Sequence, residues 1–160
     1  ENVGLLVVGN PDSPEYLDEL RKMSRELNVD SRLEFHEAVP HEELWKFVGA
    51  ADVGIVMISP VSKSYYYALP NKLFECIQSG IPVVGSDLPE IKRIVNEHKV
   101  GTIAKPDDSN SIASAVKELI NSESLYDEVK SNVENSKKIL CWESEKIALS
   151  KAFNEILHEL

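Results

Sequence analysis

The chain has 160 residues, 42% of them hydrophobic, and a formal net charge of −10 at pH 7. That length and apolar share support one sizeable core in one globular domain, while the charge, with no Lys/Arg cluster to offset it, argues against a nucleic-acid backbone or an anionic lipid surface as partner. The two cysteines, Cys76 and Cys141, fit no zinc or redox spacing and read as reduced, buried thiols of a cytoplasmic protein; no signal peptide is visible, and the longest apolar runs are too short to span a bilayer.

In chain order, runs of β-branched and aliphatic residues alternate with helical periodicity, the pattern of a parallel sheet covered on both faces. Strands are expected over 4–8, 32–36, 53–58, 82–86 and 101–104. Glu1-Asn2-Val3 enters the first strand with neither a cap nor an initiator Met, so the chain reads as cut from a longer one. A helix over 15–27 carries Leu17, Leu20, Met23 and Leu27 on its apolar side. The next, over 42–49, follows the Val39-Pro40-His41 turn and places Leu44, Phe47 and Val48 inward, with Trp45 read as packing. The loop over 59–69, SPVSKSYYYAL, follows the strand expected to be central. Ligands of open α/β sheets sit beyond the carboxyl ends of strands, which places this loop at a site. Tyr65, Tyr66 and Tyr67 are equally well read there as loop-packing aromatics.

A helix over 88–95 is introduced by Asp87, whose side chain is placed to cap the Glu90 amide. The helix over 111–120 is the cleanest amphipath, with Ile112, Ala115, Val116, Leu119 and Ile120 on one stripe and Asp107-Asp108-Ser109 at its start. Two terminal helices follow over 124–140 and 144–160, the last grouping Phe153, Ile156, Leu157 and Leu160. There is no internal repeat. His36, His41, His98 and His158 show no metal spacing and no nucleophile partner.

The chemistry concentrates in residues 70–90, PNKLFECIQSGIPVVGSDLPE. Pro70 has no amide hydrogen and a preset φ, so it suits the first helical turn and leaves the amides of Asn71, Lys72 and Leu73 to an anion. Lys63 and Lys72 are the candidate counter-charges. Glu75 follows Asn71 on the same helix face, roughly 6 Å further along the axis. A carboxylate there has two acceptor oxygens for the two hydroxyls of a ribose diol. A single helical Glu is otherwise a solvated residue, so its neighbours carry weight. Gly80 stands where the helix needs a left-handed residue, Pro82 blocks continuation, and Val83-Val84 opens a buried strand.

This segment resembles the signature of the retaining group 1 glycosyltransferases (family four), which have the GT-B fold: a Glu, seven residues, a second Glu, a small-residue turn, then Gly-x-Pro-Val and a strand end. The run from Glu75 to Val84 matches its second half. Leu6-Val7-Val8-Gly9-Asn10-Pro11, Ala51-Asp52-Val53, Val100-Gly101 and Pro106-Asp107-Asp108 resemble the family's other landmarks in order and spacing.

The resemblance implies a Rossmann-like, doubly wound α/β fold with terminal helices, the chain over 1–160 being a single C-terminal donor-binding domain truncated at its N-terminus. It implies a nucleoside-diphosphate sugar as donor, with Glu75 on the ribose, Asn71, Lys72 and Leu73 beside the diphosphate, and the base near Glu37, Ala38 and Val39, read by main chain. No cofactor and no bound metal are expected. The acceptor, a saccharide or a lipid-linked sugar, would be met by a missing N-terminal domain, with the full-length protein cytoplasmic or peripheral to a membrane and engaged in polysaccharide biosynthesis. This fragment alone is expected to fold, to bind nucleoside diphosphates weakly and to transfer nothing.

Two departures stand out. Tyr67 occupies the position of the family's first Glu; it would approach the donor sugar, yet it carries no charge near neutral pH with which to stabilise a developing cation. Glu37 stands where the family often has a glycine, narrowing the base pocket. A nucleotide-sugar epimerase of the same architecture and a non-catalytic nucleotide-binding subunit stay open.

Overall fold

The computed structural model describes residues 3 to 158; Glu1, Asn2 and Leu160, on which readings of the sequence fell, lie outside them. The chain forms two compact units, Glu1–Phe47 and Val48–Leu160, each with its own parallel sheet. The five expected strands are present, the outer ends of several trimmed by one or more residues.

The first unit comprises β1 (Leu5–Val8), α1 (Pro14–Glu26), a single 3-10 turn, β2 (Leu33–His36) and most of α2 (His41–Val48). β1 and β2 run parallel, from Leu5 opposite Leu33 to Val8 opposite His36. α1 starts where Ser13 Oγ accepts from the Tyr16 amide at 3.2 Å, with Pro14 in the first turn. Just beyond it Asn28 takes a left-handed φ of 55°. Leu17 and Leu20 are half-buried, but Met23 and Leu27 are 54% and 65% exposed. Leu5, Leu6 and Val7 of β1 are exposed as well. Coverage of both sheet faces, expected from the apolar run, is therefore not reached in this unit: two short strands and two helices supply too few side chains for a layer on each face.

The second unit holds β3 (Gly54–Val56), α3 (Lys63–Tyr66), α4 (Asn71–Gln78), β4 (Val83–Ser86), α5 (Pro89–His98), β5 (Gly101–Ala104), α6 (Ser109–Ile120), α7 (Glu123–Ser136) and α8 (Trp142–His158). The sheet order is β3-β4-β5, all parallel, so β4 is central and each of its residues is buried. Leu73 and Ile77 of α4, Ile91 and Val95 of α5, Leu119 of α6 and Val133 of α7 close around Val83 and Val84. β5 approaches β4 so closely at Gly101 that a Cβ there would collide with the main chain of Val83.

Several boundaries differ from the sequence reading for local reasons. β3 ends at Val56 rather than 58, because the Ile58 amide donates to Ser86 Oγ at 2.6 Å instead of to a ladder carbonyl. Asp87 does not cap α5: Leu88 is the N-cap residue, and Asp87 Oδ1 instead takes Lys92 Nζ at 2.8 Å, a charged donor outcompeting a neutral amide. α7 stops at Ser136, and Gln78 Nε2 of α4 donates to the freed carbonyls of Lys137 and Leu140 at 3.1 and 2.9 Å. The amphipathic α6 begins at Ser109, two residues before its expected start, with N-cap Asp108 accepting from Asn110 and Ser111. On α8, Ile147, Phe153, Ile156 and Leu157 are exposed. Among the described residues no helix is long and apolar enough to cross a membrane.

Candidate functional site

α4 is the element on which the motif stands, and its packing sets which way the motif faces. Leu73, Cys76 and Ile77 are buried, so Asn71 and Lys72 stay exposed and Glu75 is half-buried at the margin. Gly80, with φ 78°, turns the chain out of the helix, and Pro82 leads into β4. Pro70 is the N-cap residue, not the first helical one: its ψ of 146° is extended, and the helix begins with Asn71. Proline offers no side-chain acceptor, so the helix end has no internal cap. The Leu73 amide is not available as expected, since it donates to the Pro70 carbonyl at 3.1 Å in a tightened first turn. The amides of Asn71 and Lys72, in the same first turn, have no intrahelical acceptor.

The Cys76 thiol, next to Glu75 in the chain, is buried. Burial, and then the Glu75 carboxylate, push it up to about 11. The folded state thus favours the neutral thiol: this contribution to stability is complete below the unfolded value of 9.0 and is lost as pH rises through about 11. Cys76→Ala is expected to cost stability at pH 8 and progressively less between pH 9 and 11, as urea midpoints of the pair would show. A constant difference would mean that the thiol does not titrate in this range.

The loop after β3 is partly helical: Ser62 Oγ accepts from the Tyr65 amide and starts the single turn of α3. Tyr67 follows as its C-terminal residue, 61% exposed, with its ring edge-on to Tyr66 at 4.9 Å. Tyr65 and Lys63 are exposed too, so the tyrosines are not buried loop packing. Ser59 Oγ donates to Asp107, joining the loops that follow β3 and β5. Glu90 pairs with Arg93 at 3.0 Å on the surface of α5.

In the first unit, Glu37, Ala38 and Val39 follow β2. Glu37 and Ala38 are exposed, Val39 half-buried. The Gly9 amide donates to the His36 carbonyl at 3.0 Å, the Ala38 amide donates to Asn10 Oδ1 at 3.2 Å, and His36 Nδ1 lies 2.8 Å from the Glu37 carbonyl. The His36 ring packs on Phe47 at 4.6 Å between centroids. Trp45, read as packing, is 39% exposed and contacts His41 edge-on.

Of the residues singled out in the sequence, Asn71, Lys72, Leu73 and Glu75 share α4, and Tyr67 ends the helical turn before it; Glu37, Ala38 and Val39 belong to the first unit. Sequence reasoning missed Asn10, His36 and Ser86. The Asn10 and Ser86 side chains bond residues 28 positions away, while the His36 ring bonds the carbonyl of the next residue; only the Gly9-Asn10-Pro11 turn hinted at one of them. A groove of about 940 Å³ runs along α8 between Glu143 and Glu155, but one helix lines it, so it encloses nothing. Among the described residues no three His, Cys, Asp or Glu side chains gather as metal ligands.

Solved structures with this fold include a sucrose-phosphate synthase from Thermosynechococcus elongatus, 22% identical with a TM-score of 0.78, covering 98% of this chain and 39% of its own. The HepE protein of Anabaena in complex with UDP and glucose is 17% identical with a TM-score of 0.76, over 100% and 41% of the two chains. The C-terminal domain of a glycosyl transferase group 1 family protein from Francisella tularensis is 16% identical, TM-score 0.65, over 82% and 66%. The chain thus has the α/β, Rossmann-like architecture of GT-B C-terminal domains and spans about two-fifths of the first two structures. No curated protein matches it significantly by sequence. The sequence profile of the group 1 glycosyl transferases does match, over residues 1–158, and the chain belongs to that family.

Proposed function

We propose that this chain is the C-terminal, donor-binding part of a retaining glycosyltransferase that moves a sugar from a nucleoside diphosphate to a saccharide or lipid-linked acceptor. The observation that carries the reading is the start of α4: a proline N-cap with no side-chain cap bond, the Asn71 and Lys72 amides in the first turn and Glu75 one turn further along. A diphosphate at that end would leave its ribose diol beside Glu75, whose carboxylate accepts from both hydroxyls. Departure of the sugar leaves negative charge on the diphosphate; the helix-end dipole and the Lys72 ammonium oppose that charge without reorganising. Tyr67, four residues before Asn71, would approach the sugar. It can donate or accept one hydrogen bond there but supplies no negative charge. Glu37, Ala38 and Val39 hold the base. The acceptor binds to the rest of the full-length protein, which works in the cytoplasm or at a membrane surface.

UDP and UDP-glucose in structures of the Anabaena relative make uridine nucleotides the first donors to try. Full-length protein incubated with a panel of nucleotide sugars and acceptor saccharides is expected to release nucleoside diphosphate and to form a glycoside whose anomeric configuration, read by NMR, is that of the donor. Inversion would overturn the retaining assignment. Nucleotide binding without any turnover would favour the non-catalytic reading that Tyr67 keeps open, and epimerised nucleotide sugar would favour the epimerase.

A further inference from the structure

One peptide group in the first unit has both of its polar atoms taken by side chains. The Glu37 carbonyl and the Ala38 amide belong to the same peptide bond; the carbonyl accepts from His36 Nδ1 at 2.8 Å and the amide donates to Asn10 Oδ1 at 3.2 Å. A carbonyl only accepts, so this contact requires the His36 proton on Nδ1. Because a peptide group is planar, bonds at its two opposite edges fix its rotation relative to the chain on both sides.

The two gripping side chains are themselves held. Asn10 follows Gly9, whose amide donates to the His36 carbonyl at 3.0 Å and whose φ of 149° few other residues adopt. The His36 ring rests on Phe47 of α2. Folding alone does not call for this grip: Glu37 and Ala38 are exposed, and water would satisfy both peptide atoms.

We propose that Asn10 is a positioning residue for nucleobase recognition, with His36 its counterpart on the carbonyl side. The inference rests on the reading that the base lies beside Glu37, Ala38 and Val39. The ligand is a heterocyclic base whose edge is read by main-chain groups; these discriminate only while the Glu37–Ala38 peptide keeps one orientation. With its N–H spent on Asn10, that amide is closed to the base, and the flanking groups do the reading.

The test is the ratio of the weakest to the tightest dissociation constant among UDP, GDP, ADP and CDP, measured calorimetrically on the full-length protein. Asn10→Ala is expected to lower this ratio about threefold to tenfold, the worth of one hydrogen bond, with affinity for inorganic pyrophosphate changed by less than about twofold. Asn10→Asp keeps an acceptor oxygen and is expected to hold the ratio near wild type. His36→Phe keeps a ring on Phe47 but removes the donor; it is expected to lower the ratio too, and it carries the test should Asn10→Ala fail to fold. If wild type discriminates and neither loss variant changes the ratio, or if Asn10→Asp lowers it as far as Asn10→Ala, the positioning role is wrong while the base site stands. If wild type binds all four alike, the base reading falls and this inference with it.

Discussion

Replacing Glu75 with Gln in the full-length protein is expected to weaken nucleoside diphosphate binding about tenfold or more, since hydrogen bonds to charged groups contribute roughly 1.5 to 3 kcal/mol. The change keeps the shape of the side chain on α4 but removes its charge and one of the two oxygens offered to the ribose. Glu90→Gln is the control. Glu90 sits on the surface of α5 paired with Arg93, an exposed ion pair of small worth, so its loss is expected to leave affinity nearly unaltered. A 2′,3′-dideoxy nucleotide separates ribose contacts from all others: wild type should bind it poorly, and Glu75→Gln should bind it no worse than wild type does. Equal weakening toward both nucleotides would remove Glu75 from the ribose.

The largest expected effect on stability comes from Gly101→Ala. The new Cβ would meet the carbonyl oxygen, carbonyl carbon and nitrogen of Val83, all main chain in the fully buried central strand. No side chain can rotate to relieve this contact, so β5 must move off β4 or the sheet must open. A loss of about 3 kcal/mol or more is expected, a large share of the 5–15 kcal/mol that holds a typical domain together. Urea unfolding followed by circular dichroism would measure it. Gly9→Ala gives the contrast, because nothing lies within 4 Å of a Cβ there and only the φ of 149° opposes it. About 1 kcal/mol is expected for that change. Similar midpoints for the two variants would mean that crowding at Gly101 is relieved by small shifts of the sheet.

Much of this architecture is written locally in the chain. Val83-Val84 between Pro82 and Gly85 reads as a buried strand, and the α6 stripe from Ile112 to Ile120 is found with Asp108 as its cap. Gly80 takes the left-handed conformation that its place after α4 calls for. What escaped the reading depends on partners distant in sequence or on competition between neighbours. From the sequence Asp87 could cap the Glu90 amide or pair with Lys92, and local pattern alone does not rank the two; it pairs with Lys92. The trimmed end of β3 reflects Ser86, 28 residues beyond Ile58. At the candidate site the helix itself was legible, from its own periodicity and from Gly80 and Pro82 behind it. The Pro70 register and the inward bond of the Leu73 amide were not, since an extended N-cap and a helical N1 differ by a single ψ. Asn10 and His36 stayed hidden because their significance lies in where two strands end side by side.

The exposed β1 has a colloidal consequence. Among the described residues β1 pairs with β2 alone, and Leu5, Leu6 and Val7 are exposed; an unpaired strand edge is the kind of template on which another chain adds a strand. The net charge of −10 keeps copies of the chain apart by mutual repulsion. That protection reaches about 10 Å in 0.1 M salt and only about 3 Å in 1 M. The isolated chain is therefore expected to associate more readily in high salt, or at a pH near its isoelectric point of about 4.9, where that repulsion is removed.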